Sequence, residues 1–163
     1  MFMSEPFIPE DFDIPEEFET RHFRIRPLTV NDVVKDYDAV MSSLDHLQGV
    51  FGPESDWPSP ELTLEQDLID LGWHQKEFQM RSSFAYTVVS LDEQRVLGCL
   101  YIDPSDRGDF DASVTMWIRA DMLDKGYDEF LFETVKDWIA DEWPFHNPAY
   151  PGRIEDWDEW LAL

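Results

Sequence analysis

The spacing of hydrophobic residues in the first half of the chain predicts one strand and two helices. Residues 22–26 alternate between polar and apolar side chains, which is the period of a strand. Apolar side chains then recur at helical spacing over about 31–46 and again over about 61–80. The segment 49–60, rich in glycine and proline, predicts a loop between these helices. The second helix is expected to bury one apolar stripe, formed by Leu64, Leu68, Leu71 and Phe78.

The second half of the chain predicts three consecutive strands and a clear helix. Runs rich in β-branched and aromatic residues lie at 84–91, 95–103 and 111–119, joined by short polar connections typical of an antiparallel meander. Helical spacing over 127–142 is followed by Pro144, which ends a helix. The order of elements favours an α+β class with mixed α/β layers, in which helices cover both faces of a mostly antiparallel sheet.

The first 19 residues form a separate segment. Close proline spacing prevents a regular helix there, and phenylalanines recur among many carboxylates. We expect residues 1–19 to be an acidic arm that docks Phe7, Phe12 and Phe18 on the domain or on a partner; the alternative is a frayed acidic tail. Residues 20–163 are then expected to form a single domain.

The charge of the chain excludes several classes of partner. Its 163 residues include 36 Asp and Glu but only 12 Lys and Arg, a net charge of −24, while a 43% hydrophobic content argues against a disordered chain. A general nucleic-acid binder needs a basic surface, and anionic lipid would be repelled, so neither nucleic acid nor membrane is an expected partner. The charge suits a small-molecule amine or a basic peptide. The alternative is that the acidity only confers solubility or reflects a salty habitat.

The cysteine and histidine content gives no metal site. Cys99 is the single cysteine, so neither an internal disulfide nor a cysteine-based zinc site can form, and its apolar neighbours predict a core position. The acidic residues around Gly108 do not match a calcium-binding loop. The chain has no apolar stretch of 18 residues and no secretory start, so a cytoplasmic protein is expected.

Several segments together resemble the GNAT acetyltransferase superfamily over about residues 20–143. The opening strand and helix start, residues 23–29 followed by Asn31 and Asp32, are similar to those of that family, as are the runs 84–89 and 112–118. Gly98 within residues 96–102 matches a common glycine of the family's third strand. The resemblance implies a GNAT-like fold and N-acyl transfer from acetyl-CoA to an amine, and the acidic surface favours a cationic acceptor.

The resemblance also implies which residues would contact acetyl-CoA. In the family this cofactor lies where the fourth and fifth strands separate, and its pyrophosphate binds backbone N–H groups at the start of the next helix. The residues that match the pantetheine contacts are Trp117, Ile118 and Arg119, and those that match the pyrophosphate turn are Lys125, Gly126 and Tyr127.

The pyrophosphate turn departs from the family pattern. Leu123 stands where the family has Arg or Gln, and Asp128 stands where it has a last Gly or Ala, with Glu129 following. These carboxylates complement a helix N-terminus themselves and would repel a pyrophosphate. Two further hypotheses therefore stay open: a non-catalytic GNAT-fold module that binds a ligand or protein, and an acidic interaction protein that occupies a basic partner.

The catalytic groups are less well defined. Asp103 and Asp111 flank a connection of the meander and are the nearest candidates for a general base; the alternative is that both are solvated turn carboxylates. Trp57, in the proline-rich loop, is expected either in a cleft or at an interface. A homodimer is a further open expectation.

Overall fold

The central feature of the protein is a six-stranded sheet whose strands lie in chain order. The computed structural model describes residues 6–163. The strands are β1 (Phe18–Glu19), β2 (Arg24–Pro27), β3 (Phe84–Val89), β4 (Val96–Pro104), β5 (Ala112–Ile118) and β6 (Pro148–Ala149). Neighbours from β1 to β5 pair antiparallel, and β6 pairs parallel with β5. The predicted α+β class with a mostly antiparallel sheet is confirmed.

Helices cover both faces of this sheet, as predicted. They are α1 (Val33–Met41), α2 (Leu44–Leu47), α3 (Leu64–Gln79), α4 (Tyr127–Glu142) and α5 (Trp157–Leu161), and short 3-10 turns precede α1 and α4. Leu131, Val135 and Ile139 of α4 are buried in the core on one face. Val40 of α1 and Leu71 of α3 belong to a second core on the other face. Cys99 is fully buried in this second core.

The meander of β3, β4 and β5 forms the centre of the molecule. All six residues of β3 are buried, because both faces of the strand are covered. Cys99 pairs with Trp117 and Tyr101 pairs with Thr115 across β4 and β5. A Cβ atom on Gly98 would lie 2.1 Å from the carbonyl oxygen of Trp117, so close approach of the two strands requires glycine there.

The prediction of one continuous helix over 31–46 is wrong. α1 ends at Met41, and α2 begins three residues later. The Oγ of Ser42 donates a 2.7 Å hydrogen bond to the carbonyl of Asp38, while the Oγ of Ser43 accepts one of 2.8 Å from the amide of Ala120. These hydroxyls offer the backbone alternative partners at the break.

The predicted buried stripe of α3 is wrong in its first half. Leu64 and Leu68 are 45% and 42% exposed, whereas Leu71 is buried. The inward side of the helix carries Asp67 and His74, which border a cavity. The apolar pattern misplaces the inward face because this part of α3 covers a cavity with polar walls.

The described part of the N-terminal arm docks on the domain, which confirms that part of the prediction. Ile8 is 1% exposed within the core. The guanidinium of Arg81 donates to the carbonyls of Pro9 and Phe12 over 2.8 and 2.9 Å. The predicted phenylalanine anchors all pack against the core: Phe7, Phe12 and Phe18. Residues 1–5, which the prediction of the arm includes, lie outside the described residues.

The C-terminal segment closes the sheet with a very short strand. β6 has two residues, and α5 has five. The carboxylate of Asp111 accepts hydrogen bonds from the amides of His146 and Asn147, at 2.7 and 2.9 Å, just before β6. Within residues 6–163 no helix has the length and apolar character needed to cross a membrane.

Candidate functional site

A groove opens beside β5 because β5 and β6 pair over only two residues. The pairs are Ala112 with Pro148 and Ser113 with Ala149, and the chains then diverge. The cavity between them has a volume of about 260 Å³. Its walls come from β5, the first turn of α4, and the C-terminal segment, and include Met116, Trp117, Asp128, Gly152, Arg153 and Trp157.

Arg153 bridges this groove. Its guanidinium pairs with both oxygens of the Asp128 carboxylate at 3.0 and 2.9 Å, and it also donates to the carbonyl of Met116 at 3.2 Å. A bidentate ion pair of this kind fixes the orientation of both side chains. The sequence predicts that Asp128 complements the helix start, but the structure pairs its charge with Arg153.

The residues predicted to bind pyrophosphate lie at the start of α4. Gly126 has a φ of 75°, a left-handed conformation that favours glycine, and its amide donates to the carbonyl of Leu123 at 3.1 Å. Lys125 is exposed. The ring of Tyr127 packs edge-on against Phe23, with centroids 6.0 Å apart. The structure therefore brings the Lys125 and Gly126 backbone to the helix start and turns the Tyr127 side chain towards the core.

Only one of the three residues predicted to bind pantetheine borders the groove. Trp117 does so, and its indole N–H donates to the hydroxyl of Tyr101 at 3.2 Å. The carbonyl of Ile118 lies 3.0 Å from the Nε2 of His46.

Arg119 has a structural role instead. Its amide donates to the carbonyl of Leu97 at 2.8 Å. Its buried guanidinium binds Asp121 at 2.9 Å, Asp38 at 3.2 Å and the carbonyl of Val96 at 3.1 Å. These contacts tie the end of β5 to α1 and β4.

A larger cavity of about 540 Å³ lies on the face of the sheet covered by α1 and α3. Its aromatic walls are Phe51, Trp57, Trp73 and Tyr101. Its carboxyl and imidazole groups come from Asp36, Asp67, Asp70, Asp103 and His74. Trp57 thus lies in a cleft, which is one of the two expected positions.

Thr115 borders both cavities. It lies on β5 opposite Tyr101, which also lines the aromatic cavity. A group bound in the groove and a group bound in the cavity can therefore meet at this residue.

Asp36 of α1 and Asp67 of α3 form a buried carboxyl pair. They are 4% and 3% exposed, and within residues 6–163 neither forms an ion pair with Lys or Arg. Burial raises the pKa of Asp36 well above its ordinary value, and the hydrogen bond and charge of Asp67 raise it further. Burial also raises the pKa of Asp67. Two buried carboxyls of this kind therefore disfavour being ionised together.

The two predicted general bases lie in different places. Asp103 borders the aromatic cavity, and burial raises its pKa while a hydrogen bond from Ser83 lowers it. Asp111 is outside the lining of this cavity and holds the approach to β6. Among the residues described, no three His, Cys, Asp or Glu side chains are arranged to hold a metal ion.

Several residues of the candidate site were not predicted from the sequence. Burial lowers the pKa of His74, so its imidazole is neutral at neutral pH. Asp36 lies four positions before buried Val40, and Asp67 lies four positions before buried Leu71. Residues four apart share one face of a helix, so this spacing indicates that both carboxylates face inward. Nothing in the sequence alone singles out Thr115 or Arg153.

Comparison with known proteins gives matches at the level of structure. No protein-family profile matches the chain, and no curated protein matches it in sequence. A solved ribosomal-protein-S5-alanine acetyltransferase from Vibrio fischeri superposes with a TM-score of 0.66 at 19% identity, covering 93% of this chain and 82% of that one.

Two further structures were solved with a bound coenzyme. RimL, a ribosomal L7/L12 α-N-protein acetyltransferase in complex with coenzyme A, matches with a TM-score of 0.56 at 15% identity, covering 69% of this chain and 60% of that one. The microcin C7 self-immunity acetyltransferase MccE, in complex with acetyl-CoA and AMP, matches with a TM-score of 0.58 at 10% identity, covering 75% of this chain and 63% of that one. With its six-stranded sheet, its groove beside β5 and these structural neighbours, the chain has the fold of the GNAT acetyltransferases.

Proposed function

We propose that this protein transfers an acetyl group from acetyl-CoA to a cationic amine. The observation that carries the proposal is the position of Thr115, which borders both the groove beside β5 and the aromatic cavity. A substrate in each cavity would reach this residue, so the two would be held next to each other. This removes much of the entropic cost of a bimolecular reaction. Known structures with the same fold were solved with coenzyme A and with acetyl-CoA.

The groove is the proposed site of the acetyl donor. The start of α4 offers N–H groups and the positive end of the helix dipole, and Gly126 leaves the backbone open to close approach. The donor would lie along β5, so the contact between Arg153 and the carbonyl of Met116 has to break first. Arg153 is only partly buried, and its side chain is long enough to turn away into solvent.

The aromatic cavity is the proposed site of the amine. Carboxylates attract an ammonium group, and the faces of aromatic rings bind cations and alkyl chains. Asp70 and Asp103 lie in the same lining as the rings of Trp57 and Tyr101. A neutral or acidic acceptor would be disfavoured in these surroundings.

The reaction needs a base, because an ammonium ion must lose a proton before its nitrogen can attack. His74 is neutral at neutral pH, borders the cavity, and its ring centroid lies 5.5 Å from that of Tyr101. We assign the proton transfer to His74, with Asp103 as the alternative base. His74 takes one proton from the ammonium, the amine nitrogen forms a bond to the acetyl carbon, and the carbon–sulfur bond breaks. The proton that the nitrogen loses on becoming an amide goes to the sulfur, which leaves as coenzyme A thiol.

A second function is favoured by the ion pair in the groove. Arg153 and Asp128 already occupy the space beside β5, and Glu129 adds a second carboxylate at the start of α4. If this contact is permanent, the protein binds a cationic ligand in the aromatic cavity without catalysis.

One experiment separates the two functions. The purified protein is titrated with acetyl-CoA by calorimetry at moderate and at high salt, and amine-dependent release of thiol is then followed with aliphatic amines and a Lys-rich peptide. Acetyl transfer predicts saturable binding of acetyl-CoA and thiol release that depends on both the amine and His74. Amine binding with no binding of acetyl-CoA would instead support the non-catalytic module.

A further inference from the structure

We propose that Asp36 and Asp67 form an anionic subsite for a second ammonium group, so that the ligand of the aromatic cavity is an aliphatic diamine or polyamine. Binding at this subsite stands on the geometry of the cavity alone. The identification of such an amine as the acetyl acceptor rests on the proposed function.

The first support is an unpartnered buried oxygen. Asp67 is 3% exposed and borders the cavity, and its Oδ2 has no hydrogen-bond partner among the described residues. A buried polar atom without a partner is costly, and a buried carboxylate more so. An ammonium group supplies up to three donors and the opposite charge, so it can bind this oxygen and the neighbouring Asp36 carboxyl together.

The second support is the composition of the surroundings. Asp36 faces the same cavity and has the thiol of Cys99 as a weak contact, with Sγ 4.0 Å from Oδ1. Four carboxyls line the cavity, whereas its one basic group, His74, is kept neutral by burial. Apart from Thr115, the remaining walls are aromatic or aliphatic and suit the methylene groups between two amines. This set of walls matches a ligand with two charged ends and an apolar middle.

The third support is the spacing along the sheet. Asp36 lies beside Cys99, while Thr115 is paired with Tyr101, two residues further along β4. Two residues along a strand span about 6.8 Å. The pair and Thr115 border the same cavity, so a chain with an amine at each end can extend from the pair towards the junction of the two cavities.

The test compares 1,4-diaminobutane with butylamine, which has the same chain but a single amine. Binding is measured by calorimetry without acetyl-CoA at physiological ionic strength, on wild type, Asp67→Asn and Asp36→Asn. Asp106→Asn is the control, because this exposed carboxylate lies outside the cavity lining and its loss changes the net charge equally. Thermal unfolding of each variant shows that it is folded.

We expect the diamine to bind about ten- to hundredfold more tightly than butylamine, the range of a hydrogen-bonded charge pair. Asp67→Asn should remove most of this difference and leave butylamine binding within about twofold, and Asp106→Asn should change neither. Equal binding of the two amines, no binding of the diamine, or an equal loss of both in Asp67→Asn would overturn the subsite.

The outcome separates this inference from the proposed function. A diamine that binds through Asp67 but is never acetylated leaves the subsite standing and contradicts acetyl transfer. If butylamine is acetylated as fast as the diamine, and Asp67→Asn changes neither rate, acetyl transfer is supported and the subsite is overturned.

Discussion

Arg153 binds both oxygens of Asp128 and, through the same guanidinium, the backbone carbonyl of Met116. This places a side chain from the C-terminal segment across the groove between β5 and the start of α4. The same groove is the proposed site of the acetyl donor, so the donor would have to displace Arg153 before it could bind there.

Removal of the ion pair should strengthen donor binding. The double variant Arg153→Ala, Asp128→Ala removes both charges together, so that no buried charge is left without its partner. We expect it to bind acetyl-CoA more tightly than wild type by about tenfold, because the donor no longer has to displace Arg153. Calorimetry gives the affinity.

The matched control removes another ion pair from the same helix. The Nζ of Lys136 lies 3.4 Å from the Oε2 of Glu133 on the surface of α4. The double variant Glu133→Ala, Lys136→Ala removes this pair and leaves the net charge unchanged. This control should bind acetyl-CoA as wild type does. Weaker binding in the Arg153, Asp128 variant would mean that Arg153 anchors the donor and does not obstruct it.

The buried carboxyl pair should reduce stability as the pH rises. The pKa of Asp36 is higher in the folded protein than in the unfolded chain. The stability that protonated Asp36 contributes is therefore fully present below the ordinary carboxyl pKa, and it is lost as the pH rises through the raised pKa. Asp36→Asn replaces one of the two buried carboxyls with a neutral amide that can donate to Asp67. We expect the variant to be more stable than wild type by about 1–3 kcal/mol near pH 8, the cost of an unsatisfied buried group.

Urea unfolding near pH 5 and near pH 8 measures this effect. The advantage of Asp36→Asn should grow between the two conditions, while the exposed control Asp106→Asn should follow wild type. A variant that is less stable than wild type at the higher pH would show that the pair stabilises the fold and is not maintained for a ligand.

The N-terminal arm should contribute to stability as part of the core. Ile8 is 1% exposed, and Ile8→Ala removes buried volume, so we expect a loss of about 2–5 kcal/mol in unfolding free energy. Val34 is 66% exposed, and Val34→Ala should cost no more than about 0.5 kcal/mol. Equal stability of the two variants would mean that the arm is not docked in solution.

The pH profile of turnover should identify the base. Because burial lowers the pKa of His74, the acid limb of kcat/KM should lie below the ordinary histidine pKa of about 6.5, with a plateau above it. His74→Gln should lower kcat by about 10²- to 10⁴-fold, whereas Asp103→Asn should mainly raise KM. If Asp103→Asn abolishes the acid limb and His74→Gln keeps it, Asp103 is the base.

The sequence predicts the fold well but the site only in part. The three strands of the meander and α4 follow from strong periodicity and clear turn residues, so residues 84–91 and 127–142 fall within two residues of the observed β3 and α4. The stripe of α3 fails because Leu64 and Leu68 are exposed while Asp67 faces a cavity. A hydrophobic pattern assumes that the inward side of a helix is apolar, which does not hold over a polar cavity.

The long-range parts of the site have no local signal. Thr115 gains its position from pairing with Tyr101 and from the divergence of β6, and Arg153 meets Asp128 across 25 positions of sequence. Such contacts are set by the tertiary fold, so neither the periodicity nor the resemblance predicts that Arg153 crosses the groove beside β5.

The central claim is that two substrates meet at Thr115, and mass spectrometry of the reaction products tests it most directly. Acetyl-CoA and 1,4-diaminobutane are incubated with wild type, with Thr115→Val, which keeps the size of the side chain, and with Thr115→Phe, which fills the junction. With wild type and with Thr115→Val, we predict one molecule of acetylated diamine for each coenzyme A thiol released. With Thr115→Phe we predict no acetylated diamine, although calorimetry still detects binding of each substrate. The absence of acetylated diamine with wild type, or equal product formation by Thr115→Phe, would contradict the claim.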